Sequence, residues 1–325
     1  MRYLANMRLV NVREAAGDQF YTLTPASSTY LRVDSEKSFV PFARFLIKVE
    51  MIAPFLALDA CVVAGDEDSD VPAIERLGGK SFYDMVALDP EAFHVTMRAM
   101  VTRTAEAVAE GSRAVFEGVT TVVDVGGGDG MMAATIARAF PAIKCVVLEL
   151  AHVVERAPER VGVEFVAGDM FVSLPRADAL LFTRVLHNWS DDKVTEILRR
   201  CMEAIDEDKG KVIIIDMVID DSKEDPDVHQ IKLSRDIIMM AYHGGKERTK
   251  EEWRSLLAKS LDVARHLTAS AAYLADLAVS NSFYHRPPPT LPAAYLADLA
   301  VAGLLPRRPR CVGLLPPLFL PLKAL

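Results

Sequence analysis

The chain has 325 residues, 51% of them hydrophobic and 25% charged, enough apolar material for a full α/β core and one large domain with extra segments. A formal net charge of −8 and a pI near 5.5 argue against a nucleic-acid partner, because binding phosphates relies on a basic face. Cys61, Cys145, Cys201 and Cys311 form no C-x-x-C pair, and no apolar run approaches the ~20 residues that span a bilayer. Neither a disulfide framework, a zinc site nor a membrane partner is expected, and the pattern predicts a cytoplasmic protein.

In chain order, Arg2 to Leu9 has helical spacing, and Leu9 to Glu14 and Gln19 to Leu23 flank a Gly17-Asp18 turn as a small hairpin. A helix feeding a hairpin predicts the last part of a winged-helix module over residues 1–36, with a plain surface hairpin as the alternative. From Ser38 to about Cys61, and from Pro90 to Gly111, apolar residues recur at helical intervals, so residues 37–112 are expected to be a helical, substrate-lining linker. The acidic run Asp66-Glu-Asp-Ser-Asp70 reads as a solvated loop, since it lacks the central glycine and distal glutamate of a calcium loop.

The central stretch is Thr121-Thr-Val-Val-Asp124-Val-Gly126-Gly-Gly128-Asp-Gly130, a β-branched run that stops in a glycine turn and gives way to a helical pattern. Alternate glycines let the backbone turn sharply and approach a ligand where a Cβ would collide. A dinucleotide turn would need its third glycine at position 131, which is Met131, so a nicotinamide dehydrogenase is disfavoured. Further strands are predicted at Lys144 to Leu148, Val163 to Val166, Ala179 to Val185 and Lys211 to Ile215. Helices are predicted over Met131 to Phe140 and after Ser190, read as an N-cap. This alternation predicts an α/β fold with a doubly wound, mostly parallel sheet in a domain over residues 113–260. Asp124, Glu149, Asp169, His187 and Asp216 end these strands or follow them closely, and ligands of such sheets bind at the carboxyl ends.

Next come an apolar helix around Ile237 to Met240, the turn His243-Gly-Gly-Lys-Glu247-Arg-Thr249, and a Thr249–Glu252 capping box for the helix bearing Trp253, Leu256 and Leu257. Met239 and Met240 read as core rather than as the lining of an acceptor pocket. No glutamate follows Glu252, nine of the 18 prolines lie between Pro287 and Pro321, and the nonapeptide Ala271 to Val279 recurs as Ala293 to Val301. Residues 261–325 are therefore expected to be a poorly packed tail with one or two short helices near the repeats.

Five motifs carry a resemblance: Val122 to Gly130, Gly168-Asp-Met-Phe171, Val185-Leu-His187-Asn-Trp-Ser190, Gly210 to Asp216 and Gly244 to Thr249. In this order and spacing the chain resembles the plant small-molecule O-methyltransferases of the caffeic-acid and flavonoid type. The resemblance implies a Rossmann-like fold, S-adenosyl-L-methionine as cofactor and a small phenolic acceptor. It places Asp124, Gly126 and Gly128 at the cofactor turn, Glu149 at the ribose, and Asp169 with Met170 at the adenine. It makes His187 the base flanked by Asp216 and Glu247, and asks for no metal. Four departures stand against it. Glu149 replaces an aspartate, and Thr183 stands where many members have lysine. The N-terminal dimerisation helices lack a counterpart, which puts the family's homodimer in question. The final two strands also lack one, and an impaired remnant that binds cofactor weakly, or pairs with a full-length relative, is the alternative function.

Overall fold

The structure, a computed structural model, describes residues 1–15, 17–35, 38–59, 63, 71–86, 101, 104–109, 111, 114–206, 209–219, 226–263 and 271–276. In chain order the strands among the described residues are β1 (Val10–Ala15), β2 (Asp18–Leu23), β3 (Thr121–Val125), β4 (Lys144–Glu149), β5 (Val163–Ala167), β6 (Ala179–Thr183), β7 (Lys211–Asp216), β8 (Val218–Ile219), β9 (Arg248–Thr249) and β10 (Ala271–Asp276). The centre is a six-stranded sheet whose order along the edge is β10-β7-β6-β3-β4-β5. All neighbours pair in parallel.

The strands form because their side chains are apolar on both sides, as a sheet covered on both faces requires. Val123, Val146, Leu148, Leu180, Phe182, Val212 and Ile214 point to one face. They pack there against Val194, Ile197, Leu198 and Cys201 of the helix Asp191–Ala204 and against Trp253, Leu256 and Leu257 of the helix Lys250–Val263. The intervening Val122, Cys145, Val147, Ala179, Leu181, Ile213 and Ile215 point to the other face. Ala105 and Val108 cover them with Met132, Ala133 and Ile136 of the helix Met131–Ala139. This period-two division puts Asp124 on the second face and Asp216 on the first, both fully buried at strand ends.

From β3 the chain winds one way through β4 to β5 and then returns to the other side for β6 and β7. The order reverses between β3 and β6, and the crevice at their carboxyl ends is where an open parallel sheet holds its ligand.

The expected strand Ala179 to Val185 ends two residues early, at Thr183. Arg184 has φ +56°, which breaks the extended backbone and turns the chain into a short 3₁₀ turn over Leu186–Asn188. Ser190 holds the N-cap position, but its side chain makes no capping hydrogen bond. The capping box is present: the Thr249 amide donates to Glu252 Oε2 at 2.8 Å and the Glu252 amide to Thr249 Oγ1 at 3.2 Å. The first copy of the nonapeptide is a correction. It was expected near a short helix, whereas residues 271–276 extend beside β7 with Ala271 opposite Lys211, so pairing with an open sheet edge overrides the local pattern. The second copy lies outside the described residues.

At the N-terminus Val10–Ala15 and Asp18–Leu23 pair antiparallel as the expected hairpin, turning at Gly17 with φ +85°. Short helices at Val40–Leu46, Val49–Ile52, Ala73–Gly78 and Phe82–Val86 follow. Phe45, Met51, Ile74 and Phe82 from these segments pack on Ala241 and Tyr242 of the long helix Pro226–His243. Residues 104–109 are helical, while the acidic run 66–70 and most of Pro90 to Gly111 lie outside the described residues. No helix among the described residues is long and apolar enough to cross a membrane.

Candidate active site

At the carboxyl end of β3, Gly126, Gly128 and Gly130 take φ of +68°, +58° and +74°, a region that side chains rarely enter. A Cβ on Gly127 would lie 2.6 Å from Asp124 Oδ2, so the turn closes directly over that buried carboxyl. Burial and the nearby Glu149 charge push the Asp124 carboxyl up to about 7. A Cβ on Gly126 would meet Val185 Cγ2 at 3.0 Å, which ties this turn to the chain leaving β6.

From the tip of β4, Glu149 folds back to the same turn. Its Oε1 accepts the Gly128 amide at 3.1 Å and its Oε2 the Leu150 amide at 2.9 Å. Arg160 donates to Asp129, through Nε to the backbone oxygen at 2.9 Å and through Nη2 to Oδ2 at 2.6 Å, and so braces the turn from β5's side. The exposed Asp169 accepts the Phe171 amide at 2.8 Å, with half-buried Met170 packed against the core beside it. A glycine-rich backbone turn rimmed by the Glu149 carboxylate fits S-adenosyl-L-methionine. Open space beside Gly128, where an added Cβ would meet nothing within 4 Å, suits a close-lying ligand, and the fixed oxygens of Glu149 suit a diol. Thr183 Oγ1 is buried and finds no hydrogen-bond partner among the described residues.

The second half of the site assembles from three segments. His187 comes from the turn after β6, Asp216 from the end of β7, and Glu247 from the turn after the long helix, which Gly244 ends with φ +68°. His187 Nδ1 lies 3.0 Å from Glu247 Oε1 and 3.6 Å from Asp216 Oδ1, all three side chains being buried. Glu247 is therefore the hydrogen-bonding partner, and Asp216 stands just beyond that range. Burial raises Asp216 to about 6, with Glu247 adding to the rise and His187, Arg248 and Arg184 opposing it. Burial would raise Glu247 too, but His187, Arg235 and Arg184 outweigh it and hold that carboxyl below its usual range. Of the two, Glu247 is the stronger acid.

Neither cation that flanks Glu247 in sequence, Lys246 or Arg248, is its ion-pair partner among the described residues. Both cations pair with Asp191, at 3.1 and 2.8 Å. Sequence reasoning missed Arg184 and Arg235, cations that face the acid pair, and it missed the wall of Phe82, Tyr83 and His243. Phe82 lies 4.6 Å and Tyr83 5.6 Å from His243, ring to ring. Asn188 donates to the Tyr83 hydroxyl at 3.3 Å. Burial, with His187 and Arg235 nearby, drops His243 to about 3, so its ring is neutral. The GGKERT motif was the only signal for this wall, and it says nothing about the distant Phe82 and Tyr83. Met239 is buried and Met240 half-buried, as the core reading expected. Trp189 packs edge-on against Phe171 at 4.8 Å.

A parallel sheet with a glycine cradle at its switch point and a histidine held by acids across from it defines a methyltransferase of the S-adenosyl-L-methionine-dependent class. The O-methyltransferase domain family matches residues 55–260, and the chain belongs to that family. It is similar to a probable scoulerine-9-O-methyltransferase of Papaver somniferum, at 40% identity over 80% of this chain and 73% of the relative. A myricetin 7/4'-O-methyltransferase of Solanum habrochaites is 35% identical over 80% of this chain and 73% of its own length. Among solved structures, a mitomycin 7-O-methyltransferase superposes with a TM-score of 0.65 at 29% identity, covering 80% of this chain and 75% of that one.

Proposed function

We propose that the chain moves a methyl group from S-adenosyl-L-methionine to the hydroxyl of a small phenol, with His187 as the general base. The observation that carries this reading is the buried 3.0 Å contact from Glu247 to His187 Nδ1. An ionised Glu247 accepts the Nδ1 proton, which leaves the Nε2 lone pair as the ring's basic end. A phenol with a pKa near ~10 gives up its proton unwillingly to an imidazole near ~6.5, so the charge on Glu247 has to stabilise the imidazolium that forms. The Asp216 carboxylate, 3.6 Å away, adds to that stabilisation.

Gly126 and Gly128, Glu149, Asp169 and Met170 would hold the cofactor, with Asp124 supporting the turn from beneath. When bound, S-adenosyl-L-methionine supplies an electrophilic methyl group whose leaving group is a neutral thioether. His187 removes the acceptor's proton, and the aromatic side chains of Phe82, Tyr83 and the neutral His243 orient an aromatic ring beside it. Relatives named for scoulerine, norcoclaurine and myricetin support an acceptor of this kind.

His187→Ala tests the proposal. Loss of the base is expected to lower kcat about 10²- to 10⁴-fold while calorimetric binding of S-adenosylhomocysteine stays within a few-fold. Undiminished turnover removes His187 from the chemistry, and a wild-type chain that gives no heat with S-adenosylhomocysteine returns the reading to a family remnant.

A further inference from the structure

His187 and Glu247 belong to turns 60 residues apart, and neither turn is part of the central sheet. What fastens them together is a third side chain. Arg248, next to Glu247, has a side chain with no exposed surface. Its guanidinium reaches both turns at once. Nη1 donates to Leu186 O at 3.3 Å and to Lys246 O at 3.4 Å, and Nη2 donates to Trp189 O at 2.8 Å. Nε donates to Asp191 Oδ1 at 2.9 Å, and the plane sits over the Trp253 ring at 5.0 Å. The two acceptors Leu186 and Trp189 bracket His187 in sequence, so the carbonyls on either side of the base are pinned by the residue that follows its partner acid.

We propose that Arg248 is the positioning residue that sets the His187–Glu247 geometry, a proposal that rests on His187 acting as the base. Only a planar fork with five donors can serve two carbonyls of one turn, one of the other and a carboxylate together, and a lysine ammonium cannot reach all of them. Two further contacts close the same joint. A Cβ on Gly245 would lie 2.1 Å from His187 O, so the turn docks against the main chain of residues 187–189 only as glycine. Asp236 Oδ1 accepts the Glu247 amide at 2.8 Å and fixes the backbone from which Glu247 points. The cofactor cradle, by contrast, shares none of these contacts.

Arg248→Lys is expected to lower kcat about 10- to 100-fold, the penalty of misplacing a catalytic group by about 1 Å, while KM for S-adenosyl-L-methionine and binding of S-adenosylhomocysteine stay within about twofold. Made on top of His187→Ala, the same change is expected to alter the residual rate less than about twofold, because no base is left to misplace. An equal loss in both backgrounds overturns the proposal, as does a loss that only tracks a falling number of S-adenosylhomocysteine sites, the mark of a merely structural role. Asp191→Ala, at a half-exposed position, removes one anchor of the fork and is expected to lower kcat about fivefold with unchanged binding. A wild-type kcat in both variants, with His187→Ala inactive, overturns the clamp alone. A fully active His187→Ala overturns the base reading and the clamp with it.

Discussion

At the glycine turn the contacts run between backbone amides and side chains at the tips of adjacent strands, as where Glu149 accepts the Gly128 and Leu150 amides. At His187 they run between side chains brought from three segments, with Glu247 at 3.0 Å and Asp216 at 3.6 Å. The first region owes its shape to positive-φ glycines and is partly open, and the second owes its shape to buried charge. A backbone cradle tolerates many neighbours but no added Cβ. A buried charge cluster tolerates small shape changes but not the loss of one partner, since that leaves another charge uncompensated.

The largest expected effect falls in the charged region. Glu247→Gln keeps the shape and removes the charge that stabilises the imidazolium, so kcat should fall about 10²-fold with S-adenosylhomocysteine binding unchanged; comparable losses in both quantities would erase the distinction between the regions. In the cradle the signs reverse. Gly127→Ala drives a Cβ to 2.6 Å from the Asp124 carboxylate, and calorimetry should show S-adenosylhomocysteine bound at least about tenfold more weakly, with stability down by about 1–3 kcal/mol. Retained affinity would mean that the turn can relax around a side chain.

The buried acids supply a pH test that reads stability alone. Asp124 is raised to about 7 and Asp216 to about 6, both above the ordinary carboxyl value. A carboxyl raised on folding contributes stability that is fully present below its unfolded pKa and is lost as pH climbs through its folded one, at about 1.4 kcal/mol per pH unit. Melting temperatures of the wild type should therefore drop relative to Asp124→Asn between about pH 4 and 7, and parallel curves would show that Asp124 does not titrate there. The smallest effect belongs to neither region. Thr249→Ala removes half of the capping box, and should cost about 1 kcal/mol, or a few degrees in melting temperature, without altering binding.

Much of the cradle was legible in the chain, because its parts are local. Thr121 to Val125 form the strand that their β-branched run predicts, and the glycines that follow take the positive φ values their spacing suggests. The strand at Lys144 places Glu149 at its tip as read. The charged region was legible only as a set of motifs. The spacing of His187, Asp216 and Glu247 does not say which acid makes the hydrogen bond. Arg248 could equally have been a solvated turn cation. The pairing of residues 271–276 with β7 was opposed by the local pattern, since an open sheet edge lies outside the range of any window along the chain.

By itself the sequence determined the strand and helix order between Thr121 and Asp216, the parallel sheet and the position of the glycine turn, because periodicity and backbone freedom are properties of neighbouring residues. Only the tertiary structure decided which carboxyl is the stronger acid, which nitrogen of His187 is held and what holds it. Those outcomes depend on burial and on distances between groups 29 and 60 residues apart, and solvation and Coulomb energies are set by where groups end up rather than by where they are encoded.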